Sequence, residues 1–506
     1  MPGDSGATKS LWMATAAIPA FPPLRIDAET DVCVVGAGIA GLTTAYLLTR
    51  AGKRVIVLDD GPVGGGETGR TTAHLASALD DGFAELERLH GPHGARLAFE
   101  SHASAIHRIE SIVREEAIDC GFTRLDGWLF GGRGDSVDVL DHETRAAERA
   151  GIADLERRER APLPFDTGSC IRFPNQAQFH PLRYLAGLAR AIVRDGGSIH
   201  GRSHVSGIDT SNEHPVVTTD AGATVRAGAL VVATNSPINE WVAIHTKQAP
   251  YRTYAIALRI PHDAVPLGLY WDTEDPYHYV RLDRDGDGAL LVVGGEDHKT
   301  GQAHDTEARF GRLEAWARAR FPMVGDVEYH WSGQVLEPVD GLAYIGRDPM
   351  GQRNVYVATG DSGHGMTHGT IAGMLITDLI AGRANPWATL YDPARKSVRA
   401  MRTFVRENAN VAARYVGHVT GGDVASSDHI PPGSGAVIRE GLRKVAVYRD
   451  EQGTLHRYSA ICPHLFCIVE WNHTESSWDC PCHGSRFDPY GQVLNGPAAS
   501  GLDEVE

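Results

Sequence analysis

The sequence predicts an α/β architecture with an α+β portion inserted into it, followed by a small all-β domain. Three observations lead there. Residues 31–53 (DVCVVGAGIAGLTTAYLLTRAGK) read as apolar strand, glycine turn and helix, and a second strand, RVIVLDD, follows directly. From residue 251 to 295, apolar and polar positions alternate (YRTYAIALRI, HYVRL, ALLVVGG), as in an antiparallel sheet. Beyond residue 435 come only short strands, AVI, KVAVYRD and LHRYSAI, with a Glu451-Gln452-Gly453 turn. At 506 residues the chain is too long for one ordinary core, and roughly three units are expected.

Taken in order, residues 1–30 form an N-terminal arm. SLWMATAAIPAFPPL resembles an export signal, but Pro19, Pro22 and Pro23 interrupt it, and a cytoplasmic protein is expected. Residues 31–385 form the first large domain. Segments 31–82, 176–240 and 339–385 are assigned to a nucleotide-binding part, and 83–175 and 241–338 to a substrate part. Apolar residues recur at helical spacing from 83 to about 118, and βα patterns appear near 180–208 and 227–233. NVYVATG at 354–360 feeds a helix at 371–380. Residues 386–424 are a helical connector and linker, whose helix places Val398, Met401, Val405, Val411 and Tyr415 on one broad face. Residues 425–506 form the all-β domain.

Composition narrows the function. With 42% hydrophobic and 22% charged residues the chain is globular. Its formal charge of −16 opposes nucleic-acid binding, and no apolar run reaches the roughly 18 residues of a membrane span. The 57 glycines cluster at a few points, which suggests backbone brought close to a bulky ligand.

Gly36, Gly38 and Gly41 form GxGxxG between strand and helix. The first permits the turn, the second lets backbone approach a pyrophosphate, and the third allows close helix–strand packing. Asp59 ends the next strand, where an acid binds a ribose diol, with Asp60 as its alternative. Thr71 and Thr72 in GGGETGRTTAHL are candidate donors to the pyrophosphate. Ala233 lies in VVATN, and Gly360, Gly363, Gly365, Met366 and Thr367 lie in ATGDSGHGMTHG, a strand end opening a helix. Three dispersed elements around one ligand suit FAD, which is longer than NAD.

On these motifs, residues 31–382 resemble the D-amino-acid oxidase, glycine oxidase and sarcosine dehydrogenase superfamily, as does VDGLAYIGRDP at 339–349. The resemblance implies an FAD-binding Rossmann-like domain with an inserted α+β substrate domain. It also implies hydride transfer to FAD from a carbon next to an amine. The middle of the chain holds no second strand-flanked GxGxxG, so a disulfide-reductase architecture is not expected. Candidates near the flavin are Arg281 as a carboxylate anchor, His298 and Lys299 at a strand end, and His364 and His368 on the glycine loop. Arg281 has a plainer reading as a surface ion pair, and His298 and Lys299 as a solvated loop pair; His364 and His368 lie nearest the expected flavin. Trp331 and Gln334 are candidate pocket residues, although a core Trp is the default. Cys33, Cys120 and Cys170 read as buried small hydrophobes.

The remaining cysteines crowd together: Cys462-Pro463-His464, fifteen residues, then Cys480-Pro481-Cys482-His483. Structural zinc also takes two Cys and two His. Here each of two loops supplies one Cys and one His, so that one iron can take both thiolates and the other both imidazoles. CPHLFC and CPCHGSRFDPYGQVLNGPA resemble the Rieske family. By that resemblance Cys462, His464, Cys480 and His483 are ligands of a 2Fe-2S Rieske cluster, and Cys467 and Cys482 form a disulfide. Gly496-Pro497 resembles the loop that covers the cluster. Phe466 stands where the family commonly has Gly, and Phe487 where high-potential members have Tyr; Ser485, a characteristic donor to sulfur, is present. Rieske potentials span about −150 to +300 mV and rise with such donors, so an intermediate value is expected.

Together the halves resemble bacterial fusions of an FAD domain to a Rieske domain. That implies an amine or amino-acid dehydrogenase relaying single electrons to a quinone-, cytochrome- or ferredoxin-like partner. A Rieske-fed reductase or monooxygenase-like enzyme is the alternative, and a non-catalytic redox sensor the second.

Overall fold

Val32 to Val35, Val55 to Leu58 and Leu230 to Val232 are buried throughout, the pattern of strands covered on both faces. They belong to an eight-stranded sheet in the order Tyr344–Arg347, Val355–Thr359, Thr224–Val232, Ala28–Val35, Val55–Leu58, Ser198–His200. All neighbours on that path run parallel except the first pair, and a hairpin extends the sheet beside Thr224–Val232. The computed structural model describes residues 5–132, 137–238, 244–285, 288–303, 305–418 and 421–505.

Helices Ile39–Arg50 and Gly365–Ile380 cross at Gly373, where an added Cβ would lie 2.6 Å from Thr43 Cγ2. Their close approach brings both helix N-termini to one end of the sheet. The helix Gly82–Glu115 breaks at Gly91, whose φ of 74° is left-handed, immediately before Pro92. A second, nine-stranded sheet is built around Gln248–Ile260, Gly288–Lys299 and Val327–Pro338, which pair antiparallel. Its hydrophobic face packs on the helix Thr306–Arg320 through Leu313, Trp316 and Ala317.

The last part of the chain has a three-stranded and a four-stranded antiparallel sheet with hydrophobic clusters of their own. Its contact with the rest is nevertheless deeply buried and charged. Glu475, 1% exposed, meets Arg70 at 3.4 Å and Arg252 at 3.2 Å, and accepts from the Thr8 hydroxyl at 2.6 Å. Arg486 is bound to Asp479 at 3.0 Å and donates to the Ser5 carbonyl at 2.5 Å. The N-terminal arm is thus a wedge between the two parts, anchored also by buried Leu11 and Trp12.

The connector helix runs Met401–Arg414 with a face unlike the expected one. Met401 and Val405 are exposed, whereas Glu407 is buried in an ion pair with Lys299. Of the expected apolar stripe, Val411 packs against the small domain's core, and the Val398 side chain lies outside the described residues. Helical spacing alone does not say which face a neighbour covers.

Candidate active site

The glycine turn is shaped by contacts that side chains would obstruct. Gly36 has φ +106°, and an added Cβ would lie 2.3 Å from the Ala233 carbonyl oxygen. At Gly41 a Cβ would fall 1.8 Å from the Gly36 carbonyl oxygen, so only glycine lets the helix begin this close to the strand. Gly41→Ala should accordingly bind FAD about tenfold or more weakly, a loss of roughly 1.4 kcal/mol or greater, read by titrating the flavin-stripped protein with FAD. An unchanged FAD affinity in this variant would deny the turn its role.

One cavity of about 280 Å³ opens at this end of the sheet. Gly36, Gly38, Asp59, Thr71, Thr72, Ala233, Gly360, Gly363, Gly365 and Met366 line it; Gly41 lies behind the turn. Thr367 is turned away, its hydroxyl 2.8 Å from His102 Nδ1. Asp59 Oδ2 accepts from the Ala37 amide at 2.5 Å and Oδ1 from the Gly61 amide at 2.9 Å, which fixes the carboxylate on the cavity rim. Asp60 also lines the cavity, 3.7 Å from His204. The Thr68 hydroxyl accepts from the Ile39 amide at 3.1 Å, a contact the sequence did not reveal. Several buried polar atoms of the wall residues, among them Asn235 Nδ2, Asp361 Oδ1 and Arg70 Nε, have no hydrogen-bond partner. Two helix N-termini, a glycine cradle and unspent polar atoms fit a long dinucleotide.

The candidate catalytic residues divide sharply. Arg281 is not on the wall: Nη1 donates to the Thr72, Ala73 and Phe179 carbonyls and Nη2 to Asp283, so the guanidinium clamps loops together. His298 bridges the Tyr254 hydroxyl and the Lys299 carbonyl, and Lys299 is committed to Glu407. Neither lines this cavity. Trp331 and Gln334 do, with the Trp331 indole N–H on the Arg70 carbonyl at 2.8 Å.

His364 and His368 both reach the wall. Burial lowers the proton affinity of His364, but the Asp80 carboxylate, with Asp81 and Asp361, more than offsets it, leaving the pKa above the ordinary histidine value. Its Nε2 lies 2.9 Å from the Asp80 amide nitrogen and 3.2 Å from Asp80 Oδ1. Neutral, Nε2 accepts from the amide; protonated, it donates to the carboxylate. A proton is therefore accommodated without movement. Burial, with the nearby His364, pushes His368 down to about 3, and it contacts His102 Nε2 at 3.2 Å.

In the small domain two loops face one another. Cys462, His464, Cys480 and His483 are all buried, and the two imidazoles stand perpendicular with centroids 5.1 Å apart. His483 Nδ1 is buried without a hydrogen-bond partner, as a ligand atom must be before metal binds. Each loop is closed by its own backbone: Phe466 N to Cys462 O at 3.0 Å, and Gly484 N to Cys480 O at 3.1 Å. The Cys467–Cys482 disulfide joins the loops, with Cα atoms 6.4 Å apart. Phe466 has φ 60°, which explains why glycine suits this position. Two thiolates and two imidazoles on facing loops match an iron pair with mixed ligation.

The two sites share a wall. Gln334 donates through Nε2 to the carbonyl of Gly484, next to His483, at 3.0 Å. Residues 493–496 and Ala498 line the large cavity, with Gly496 against Ser236. From the other side His245 packs edge-on to His464 at 4.9 Å. Sequence spacing gave no sign of these contacts, because Gln334 and Gly484 are 150 positions apart.

The FAD-dependent oxidoreductase family matches residues 31–379, and the Rieske [2Fe-2S] domain family matches residues 422–506. YhfW of Bacillus subtilis, a protein named for a Rieske 2Fe-2S centre, is 33% identical over 503 residues, covering 99% of this chain and 98% of that protein. The γ-glutamylputrescine oxidoreductase of Escherichia coli is 29% identical over 383 residues, 72% of this chain and 86% of its own length. Among solved structures, glycine oxidase from Geobacillus kaustophilus superposes with a TM-score of 0.63 at 19% identity, over 73% of this chain and 99% of its own. The chain therefore belongs to the FAD-dependent oxidoreductases of the D-amino-acid-oxidase type and carries a Rieske [2Fe-2S] domain after its flavin domain.

Proposed function

We propose that the protein oxidises an amine or amino acid by hydride transfer to FAD and relays single electrons through the Rieske cluster to an external quinone- or cytochrome-level acceptor. The observation that carries this reading is the shared wall, where Gln334 touches the flavin cavity and the backbone beside His483 at once. FAD supplies the two-electron acceptor, and the cluster a one-electron one. The Escherichia coli relative is named for an amine substrate, which agrees with the reading.

The chain's own residues would perform the remaining tasks. Gly36 and Gly38 would hold the pyrophosphate on the helix beginning at Ile39, and Asp59 or Asp60 the ribose. Cys462, His464, Cys480 and His483 would hold the irons. As the substrate carbon gives up its hydrogen with both bonding electrons, the nitrogen lone pair forms C=N, so an ammonium substrate must first lose a proton. His364 Nε2 is placed to hold it against Asp80 Oδ1. Hydrolysis of the iminium then releases the carbonyl product.

Anaerobic mixing with a panel of amines and amino acids should bleach the flavin first and the cluster second. Cluster bleaching by a ferredoxin-type donor, followed by flavin reduction, would instead support the reverse flow.

Ser485 offers a finer test. Its hydroxyl accepts from the Ala498 amide at 3.1 Å and lies within hydrogen-bond reach of Cys462. A donor to sulfur stabilises the reduced, more negative cluster. Ser485→Ala should lower the midpoint potential by about 60 mV, the one-electron equivalent of a hydrogen bond of ~1.4 kcal/mol. An unchanged potential with an intact cluster would remove Ser485 from the sulfur environment.

A further inference from the structure

Taking the cavity as the amine- or amino-acid-oxidising chamber just proposed, we infer that its substrate is a protonated amine carrying no carboxylate. The argument rests on the charge of the wall. Among the described residues, Glu67, Asp80 and Asp361 line the cavity, with Asp59 and Asp60 at the end assigned to the ribose, and Arg70 is the one Lys or Arg that does. Arg70 is already engaged: Nη2 donates to the Gly6 and Thr8 carbonyls, and Nη1 to the Ser332 carbonyl and to Glu475.

A substrate carboxylate needs a cation or convergent donors to replace its water. Arg281, the residue suited to that task by sequence, is held by three carbonyls and Asp283 outside the wall. Arg309, whose charge acts on Asp297, donates to the Glu296 and Asp297 carbonyls and to Asp305. A carboxylate here would meet like charge, and the one guanidinium on the wall keeps only Nε without a protein partner.

An ammonium ion meets the opposite situation. Asp80 stands on the wall beside His364 at 3.2 Å, and Asp297 lies behind Tyr277, accepting from its hydroxyl at 3.4 Å. Glu337 sits close by, accepting from the Ser362 hydroxyl at 2.7 Å. Trp271, Tyr277 and Tyr279 supply aromatic surface on the same cavity, which attracts a cation and repels an anion. Burial pushes Asp297 up to about 7 and Asp361 up to about 6, which marks an acid group short of positive charge. A cationic ligand supplies that charge.

The holoenzyme is tested anaerobically with putrescine and benzylamine against glycine, sarcosine, D-alanine and L-proline, reading flavin bleaching. A second readout is equilibrium perturbation of the flavin spectrum by tetramethylammonium, which cannot be oxidised in this way, against benzoate. The carboxylate-free amines should half-saturate at concentrations about tenfold or more below any amino acid. Tetramethylammonium should perturb the flavin and benzoate should not. Asp80→Asn, and separately Asp297→Asn, should raise the half-saturating tetramethylammonium concentration about tenfold while FAD content is kept. Amino acids bleaching the flavin as well as or better than the amines would overturn the substrate class yet leave the oxidation reading standing. Bleaching by neither class would overturn both. Unchanged tetramethylammonium binding in both variants would overturn the acidic anchor.

Discussion

Glu475→Ala should destabilise the protein by about 3–5 kcal/mol, because it leaves arginines buried without their shared counter-charge. Arg70 and Arg252 meet Glu475 directly, and their side chains have no exposed surface. Removing the carboxylate strands these charges, along with the Thr8 hydroxyl and the Ser332 hydroxyl that donate to it. Denaturant unfolding should show the loss, accompanied by easier proteolysis between the flavin and Rieske parts. A change under about 1 kcal/mol would mean that water or rearrangement satisfies these arginines.

The same carboxylate sets a pH dependence. Burial alone would raise its pKa, but Arg70, Arg252 and Arg486 together hold it at about 2 against an ordinary 4.5. A depressed acid stabilises the fold fully above its unfolded pKa and loses that contribution as pH falls toward the folded value. About 3 kcal/mol should therefore disappear between pH 4.5 and 2 in the wild type. In Glu475→Gln that portion of the acid-induced loss should be absent. Equal pH slopes in the two proteins would contradict it.

Cys480→Ser should lose both irons and the rhombic cluster spectrum while retaining FAD. Cys480 is a buried thiol on one of the two facing loops, and a serine hydroxyl is a much poorer iron ligand. The flavin cradle at Gly36, Gly38 and Ala233 belongs to a different sheet. Independence is not complete, however, since residues 493–496 form part of the flavin cavity wall. The disulfide and the Glu475 cluster hold that wall without iron. Loss of FAD together with iron would show that the wall depends on the metal.

Motifs whose geometry is local were legible in the sequence. Gly36 and Gly41 are five positions apart and report one turn; Cys462 and His464 lie on one loop, and Cys480 and His483 on the other. Residues whose role depends on distant partners were not. Arg281 looked like an anchor because its partners, the carbonyls of Thr72, Ala73 and Phe179, are more than 100 positions away. Asp80, Asp297 and Glu337 sit on separate elements, and no spacing predicts that Tyr277 is surrounded by all three. Glu475 belongs to no sequence motif, yet it is the buried charge joining the two parts of the protein.

Electron transfer within one molecule is the central claim, and its most direct measurement is the rate of cluster reduction after anaerobic flavin reduction by a reactive amine, followed across a range of protein concentrations. A first-order rate constant independent of concentration is expected, because cavity and cluster loops share the wall at Gln334. A rate constant that rises in proportion to protein concentration, or a cluster that stays oxidised beside a fully reduced flavin, would contradict it.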